Sequence, residues 1–142
     1  MTAILLVSHC TYSKAMLETA EMILGPQSQV AAVGLAPSQS PDDLKAEIRR
    51  SIESLSGPDL LILTDVSSGT PANTIMALSQ EYSFRHLTGI NLPLLIEALI
   101  SRQFVPIGDL TSTLMQNAAS TFIDVDEMMY GKQEADNSTV GF

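Results

Sequence analysis

The sequence predicts an α/β fold, a doubly wound and mainly parallel five-stranded sheet with helices on both faces. Three observations carry that expectation. Short apolar runs bounded by turn residues stand at Ala3–Val7, Val30–Leu35 and Leu60–Thr64, the pattern of strands buried on both sides. Apolar stripes at helical spacing fill the intervals between them. Strand and helix alternate along the chain, which calls for parallel strands joined by right-handed crossovers.

Each element has its own local reason. The first run ends abruptly at Ser8-His9. Leu17, Ala20, Ile23 and Leu24 then share one helical face, and Gly25-Pro26 stops that helix. After the second run, Ser40-Pro41-Asp42-Asp43 supplies an N-cap, a first-turn proline and two acids that suit the helix dipole. The stripe Leu44, Ile48, Ile52 and Leu55 follows and ends at Gly57-Pro58. Thr70-Pro71 repeats the cap-plus-proline signal ahead of Ile75 and Leu78. A fourth strand is expected around Phe84–Gly89, with helices over Pro93–Arg102 and Leu110–Ala119. The alternating segment Thr121-Phe122-Ile123-Asp124-Val125 is expected as the fifth strand. From Gly131 onward the chain is polar without a core pattern, so the expected domain is 1–130 with a flexible tail over 131–142.

Composition narrows the function. The 142 residues suit one domain, 45% apolar and 16% charged, well inside the globular range. A net charge of -9 with seven Lys plus Arg repels a phosphate backbone, so no nucleic-acid partner is expected. An acidic surface suits a basic protein partner, and it is also a common way to stay soluble. One cysteine excludes a disulfide within the chain and a multi-cysteine zinc site. No basic residue precedes the first apolar run, which is therefore not a signal peptide. The later run Leu92–Ile100 is too short to span a bilayer and contains Glu97. A cytoplasmic protein is expected, with neither metal nor cofactor.

Open parallel sheets bind ligands beyond the carboxyl ends of their strands, where strand order reverses. Strand one ends at Ser8-His9, and strand three is followed by Asp65 and the turn Val66-Ser67-Ser68-Gly69-Thr70-Pro71. In the common doubly wound order these strands are neighbours, so His9 and Asp65 would face each other across a crevice. A helix follows each, and helix N-termini bind anions through unpaired N–H groups and the dipole. Cys10 and Thr11 after the histidine, and Ser68, Gly69 and Thr70 after the aspartate, are the candidates to support a phosphate. A carboxylate beside a phosphoryl group would repel it, so Asp65 serves better by accepting a hydrogen bond from one imidazole nitrogen. That fixes the tautomer and frees the other lone pair for attack. Taken singly, His9 reads equally as a strand-end histidine capping the following backbone, and Asp65 as a turn residue. Their matching topological positions favour function. Cys10 is read as a small edge residue rather than a thiolate partner of His9, and His86 as a solvated or satisfied strand histidine.

At these residues the chain resembles the mannose-family enzyme IIA components of the bacterial phosphoenolpyruvate-dependent sugar phosphotransferase system. The resemblance covers Thr2 to Val125 and rests on four pieces: Ser8-His9, the helix Ala15–Gly25, Asp65 with Ser68-Gly69-Thr70-Pro71-Ala72-Asn73, and Gly89-Ile90-Asn91-Leu92-Pro93-Leu94-Leu95-Ile96-Glu97. It implies that His9 accepts a phosphoryl group from the phosphocarrier protein HPr and passes it to a IIB component, which phosphorylates sugar at the membrane transporter. It also implies that Asp65 orients His9, with the Gly69–Thr70 and Asn91 turns beside the phosphate. Family members are homodimers whose fifth strand, here Thr121–Val125, is antiparallel and exchanged between subunits. A free-standing IIA subunit is expected, since no IIB domain follows.

Two departures bear on partner choice. Cys10 stands where the family has glycine, and Ser67 and Ser68 stand where it often has an aromatic residue and a glycine. Rival readings exist. The phosphotransfer subunit of dihydroxyacetone kinase resembles this fold and shares a Val-Ser-His strand end, but Gly69-Thr70-Pro71 and Gly89-Ile90-Asn91-Leu92-Pro93 favour the sugar system. A IIA-like regulatory binding module would bring further domains. A receiver domain would put an acidic pair where Ser8-His9 stands. A flavin phosphate loop would need regular hydroxyl spacing, which Ser8–Ser13 lacks.

Overall fold

The computed structural model describes residues 1–131. Four strands form, Ala3–His9 (β1), Val30–Leu35 (β2), Leu60–Thr64 (β3) and Arg85–Thr88 (β4). They make one parallel sheet in the order β2-β1-β3-β4. The order runs outward from β1 in one direction and then in the other, so the reversal falls between β1 and β3. Leu6 pairs with Leu63 and Val7 with Thr64, which sets His9 and Asp65 just past adjoining strand ends.

Helices cover both faces. Tyr12–Leu24 (α1), Leu92–Ser101 (α4) and Ile107–Asn117 (α5) close one face over Ile4, Leu6, Leu61 and Leu63. Pro41–Ser54 (α2) and Thr70–Leu78 (α3) close the other over Leu5, Val7, Val33 and Ile62. Successive strand residues supply opposite faces, and β1 is buried from Ala3 through Ser8 because both faces are covered. The cap on α2 forms as the sequence requires, with Ser40 Oγ accepting from Asp43 N–H and Asp43 Oδ2 accepting from Ser40 N–H, each at 3.1 Å. On α3 the N-cap is Gly69, one residue before the expected Thr70.

The sheet has four strands among the described residues, where five were expected. Thr121 closes a short 3-10 turn, and residues 122–125 join no ladder among the described residues. Period-two alternation marks a segment able to pair, but it does not encode which edge that segment reaches. This one leaves the α5 turn with Phe122 96% exposed. The expected tail lies outside the described residues apart from Gly131. Among the described residues, no helix is long and apolar enough to cross a membrane.

Candidate functional site at the β1 and β3 ends

His9 is the last residue of β1, exposed at the sheet's carboxyl edge. Asp65 follows β3 directly, and its Oδ2 accepts twice from His9: from the backbone N–H at 2.9 Å and from ring Nδ1 at 2.8 Å. Its Oδ1 accepts from Val66 N–H at 2.9 Å. Burial pushes the Asp65 carboxyl up. The bonds from the His9 backbone, the His9 ring and Val66 outweigh it, so the group sits below its ordinary value and is ionised at neutral pH. An ionised carboxylate only accepts, so Nδ1 carries a proton, and in the neutral ring the free lone pair is on Nε2.

Nε2 faces the start of α3. A Cβ placed on Gly69 would lie 3.0 Å from both Cε1 and Nε2 of His9. Gly69 has φ +102, a conformation that side chains disfavour, so glycine is required there on two counts. The N–H groups of Ser68, Gly69, Thr70 and Ala72 donate to no acceptor among the described residues. They give the free nitrogen an anion-binding neighbour.

The turn after His9 is built from beneath. Cys10 has φ +51, and its carbonyl lies where any side chain on Gly34 would be. Ser8 Oγ accepts from Ser13 N–H at 2.7 Å, and Ser13 Oγ donates to Val33 O at 2.8 Å. Ser8 thereby caps α1 from the strand, a role that the Thr11 side chain at the N-cap does not take.

The predicted supporting residues divide. Thr11, Ser68, Gly69 and Thr70 stand on the two turns at the crevice, and their N–H groups donate to no acceptor among the described residues. Cys10 N–H extends the strand ladder to Leu35 O at 2.8 Å and is not open. The Asn91 amide is engaged at both ends: Oδ1 accepts from Leu94 N–H at 3.0 Å as the α4 cap, and Nδ2 donates to Thr121 Oγ1 at 2.8 Å. Sequence reasoning passed over Tyr12, whose hydroxyl donates to Ile90 O at 2.9 Å beside the crevice. An aromatic residue in the first turn of a helix, three positions after a candidate histidine, was the available signal. His86 stands apart from the crevice, bonded through Nε2 to Thr64 Oγ1 at 2.8 Å. A cavity of about 340 Å³ lined by Leu55, Leu60, Tyr82 and Phe84 lies at the other end of the sheet and touches none of the candidate residues.

Residues 3–115 match the protein family described as PTS system fructose IIA component. The chain is 28% identical over 135 residues to the sorbose-specific EIIA component of Lacticaseibacillus casei, covering 94% of this chain and 98% of that one. It is 23% identical over 141 residues to the fructose-specific EIIA component of Bacillus subtilis, covering 98% and 97%. Among solved structures, the phosphotransferase system component EIIA from Streptococcus agalactiae is similar with a TM-score of 0.81 at 29% identity, covering 89% of this chain and 98% of that one. An α/β domain with this match over most of its length belongs to the mannose- and fructose-type enzyme IIA family, and it is a phosphoryl carrier of a sugar phosphotransferase system.

Proposed function

We propose that His9 is the phosphoryl-carrying residue, that it receives phosphate from HPr, and that it passes it to a IIB component serving a membrane sugar transporter. The observation that carries this reading is the Nδ1-to-Asp65 bond of 2.8 Å, which leaves Nε2 free beside the α3 N-terminus. In the transfer, the Nε2 lone pair forms a bond to phosphorus as the donor's N–P bond breaks, and the electron pair of that bond leaves with the donor imidazole. The His9 ring gains positive charge, which the adjoining Asp65 carboxylate stabilises. The open N–H groups of Ser68, Gly69 and Thr70, with that of Thr11 across the crevice, meet the phosphoryl oxygens. Onward transfer to IIB reverses these roles. The chemistry needs no metal or cofactor.

In this reading the protein works in the cytoplasm as a homodimer, with residues 1–130 as the phosphotransfer domain and 131–142 as its tail. Phe122–Val125 of one copy adds antiparallel to the open β4 edge of the other. An apolar pocket of about 110 Å³ beside that edge, lined by Leu63, Leu87, Leu94, Leu114 and Met115, suits the incoming side chains. Incubation with enzyme I, HPr and phosphoenolpyruvate tests the carrier role by mass spectrometry. One acid-labile phosphate that requires HPr and disappears in His9→Ala is expected. Undiminished labelling of His9→Ala overturns the assignment.

A further inference from the structure

We propose that Tyr12 is a positioning residue for the His9–Asp65 pair, because its hydroxyl closes a ring of hydrogen bonds around the three turns that form the crevice. Tyr12 lies three residues after His9 and donates to Ile90 O at 2.9 Å. Gly89 and Ile90 donate their N–H groups to Thr64 O at 3.0 and 3.2 Å. Thr64 precedes Asp65, whose Oδ2 returns to His9 Nδ1 at 2.8 Å. Each turn is held by the next, and the circuit closes through the backbone between His9 and Tyr12.

The link that matters is the peptide between Thr64 and Asp65. Its carbonyl is the one gripped by Gly89 and Ile90, and its N–H belongs to Asp65. Rotation of that peptide plane would swing the carboxylate away from the imidazole. Ile90 keeps its grip only while its backbone is held, and the Tyr12 hydroxyl holds the next peptide, Ile90–Asn91, by its carbonyl.

Packing alone does not account for the hydroxyl. The Tyr12 residue is 46% exposed at the mouth, and phenylalanine would present the same ring. The phenol also lies near enough to Asp65 to register it: burial pushes the Tyr12 ionisation up, and the Asp65 charge adds to that rise. A tyrosine used for docking would point its hydroxyl outward, whereas this one points it at a backbone carbonyl.

The functional half of this inference rests on the carrier role of His9, so the test has two arms that fail separately. In the first, the exchange of the His9 Nδ1 proton is followed by nuclear magnetic resonance in unphosphorylated protein, well below its melting temperature. Tyr12→Phe should speed that exchange by about 2- to 10-fold, the reach of one ordinary hydrogen bond. A merely structural hydroxyl would lower the melting temperature and leave the exchange rate alone. In the second, phosphoryl transfer from phospho-HPr should show kcat reduced by a similar factor with KM for the donor unchanged. Unaltered exchange in Tyr12→Phe overturns the proposal. So does a change confined to KM, which would make Tyr12 a docking contact. Faster exchange in a protein that takes no phosphate even as wild type supports the positioning role and overturns the carrier reading instead.

Discussion

Asp65 Oδ2 binds the backbone and the ring of the same histidine, which fixes both the position of His9 and its tautomer. That double contact sets what substitution should do. Asp65→Ala keeps the strand ends but frees the ring. A hydrogen bond to a charged group contributes roughly 1.5–3 kcal/mol, so acceptance of phosphate should slow by about 10- to 100-fold. Asp65→Asn still accepts from Nδ1 but no longer balances positive charge on the ring, so its rate should fall between alanine and wild type. Stopped-flow transfer from phospho-HPr orders the three. The same residue has a signature in acid. Its folded value lies below the ordinary 3.8, so its contribution to stability is complete above 3.8 and is lost as pH falls through the depressed folded value. Denaturant titrations should show a shallower acid limb for Asp65→Asn than for wild type. Equal limbs would mean the bonds to His9 add nothing to the fold.

Among the elements, α3 does most to shape the site. Its first turn must approach the imidazole closely, which Gly69 permits by lacking a Cβ and by adopting φ +102. Gly69→Ala should therefore cost about 1–2 kcal/mol of stability and slow phosphate acceptance as well. A variant stable as wild type and equally fast would place the turn outside the phosphate path. Much of this element structure was legible beforehand. β2 and β3 have the expected limits, and the α2 cap follows from four consecutive residues, because apolar runs and caps are local signals. The buried face of α1 differs from its apolar stripe. Ile23 is 58% exposed, while Ser13 and Met16 are buried. The Ser13 hydroxyl bonds to Val33 O and so turns a polar residue inward, a tertiary contact that apolar periodicity does not encode. The contact between His9 and Asp65 in the candidate site was legible from strand ends and topology together. The parts missed were contacts that depend on chain crossings, namely the Cys10 carbonyl over Gly34 and the Tyr12 bond to Ile90.

For the whole molecule, β2 and β4 are the two edge strands of the described sheet, and an apolar stretch after α5 joins neither. Phe122, Ile123 and Val125 are all exposed, and an apolar pocket that none of them lines lies at β4. Open edges are generally paired or covered, so light scattering should find a stable dimer, and deletion from Thr121 onward should abolish it. A monomer at micromolar concentration would contradict the exchange. The end of the sheet remote from His9 is tied differently. Arg102 is buried, with no carboxylate partner among the described residues, and donates to Thr2 O, Ser28 O, Gln29 O and Gln27 Oε1. A basic residue at a helix end reads from sequence as solvated, and only the fold shows it fastening α4 to the strand entries.

The central claim is that Asp65 holds Nδ1 and leaves Nε2 to carry phosphate. It makes a regiochemical prediction that the position of the label on the chain does not test. Nuclear magnetic resonance of the phosphorylated, nitrogen-15-labelled protein distinguishes the two ring isomers and should show phosphorus bonded to Nε2 of His9, with a proton retained on Nδ1. Phosphorus on Nδ1, the nitrogen 2.8 Å from the Asp65 carboxylate, would contradict the account at its foundation.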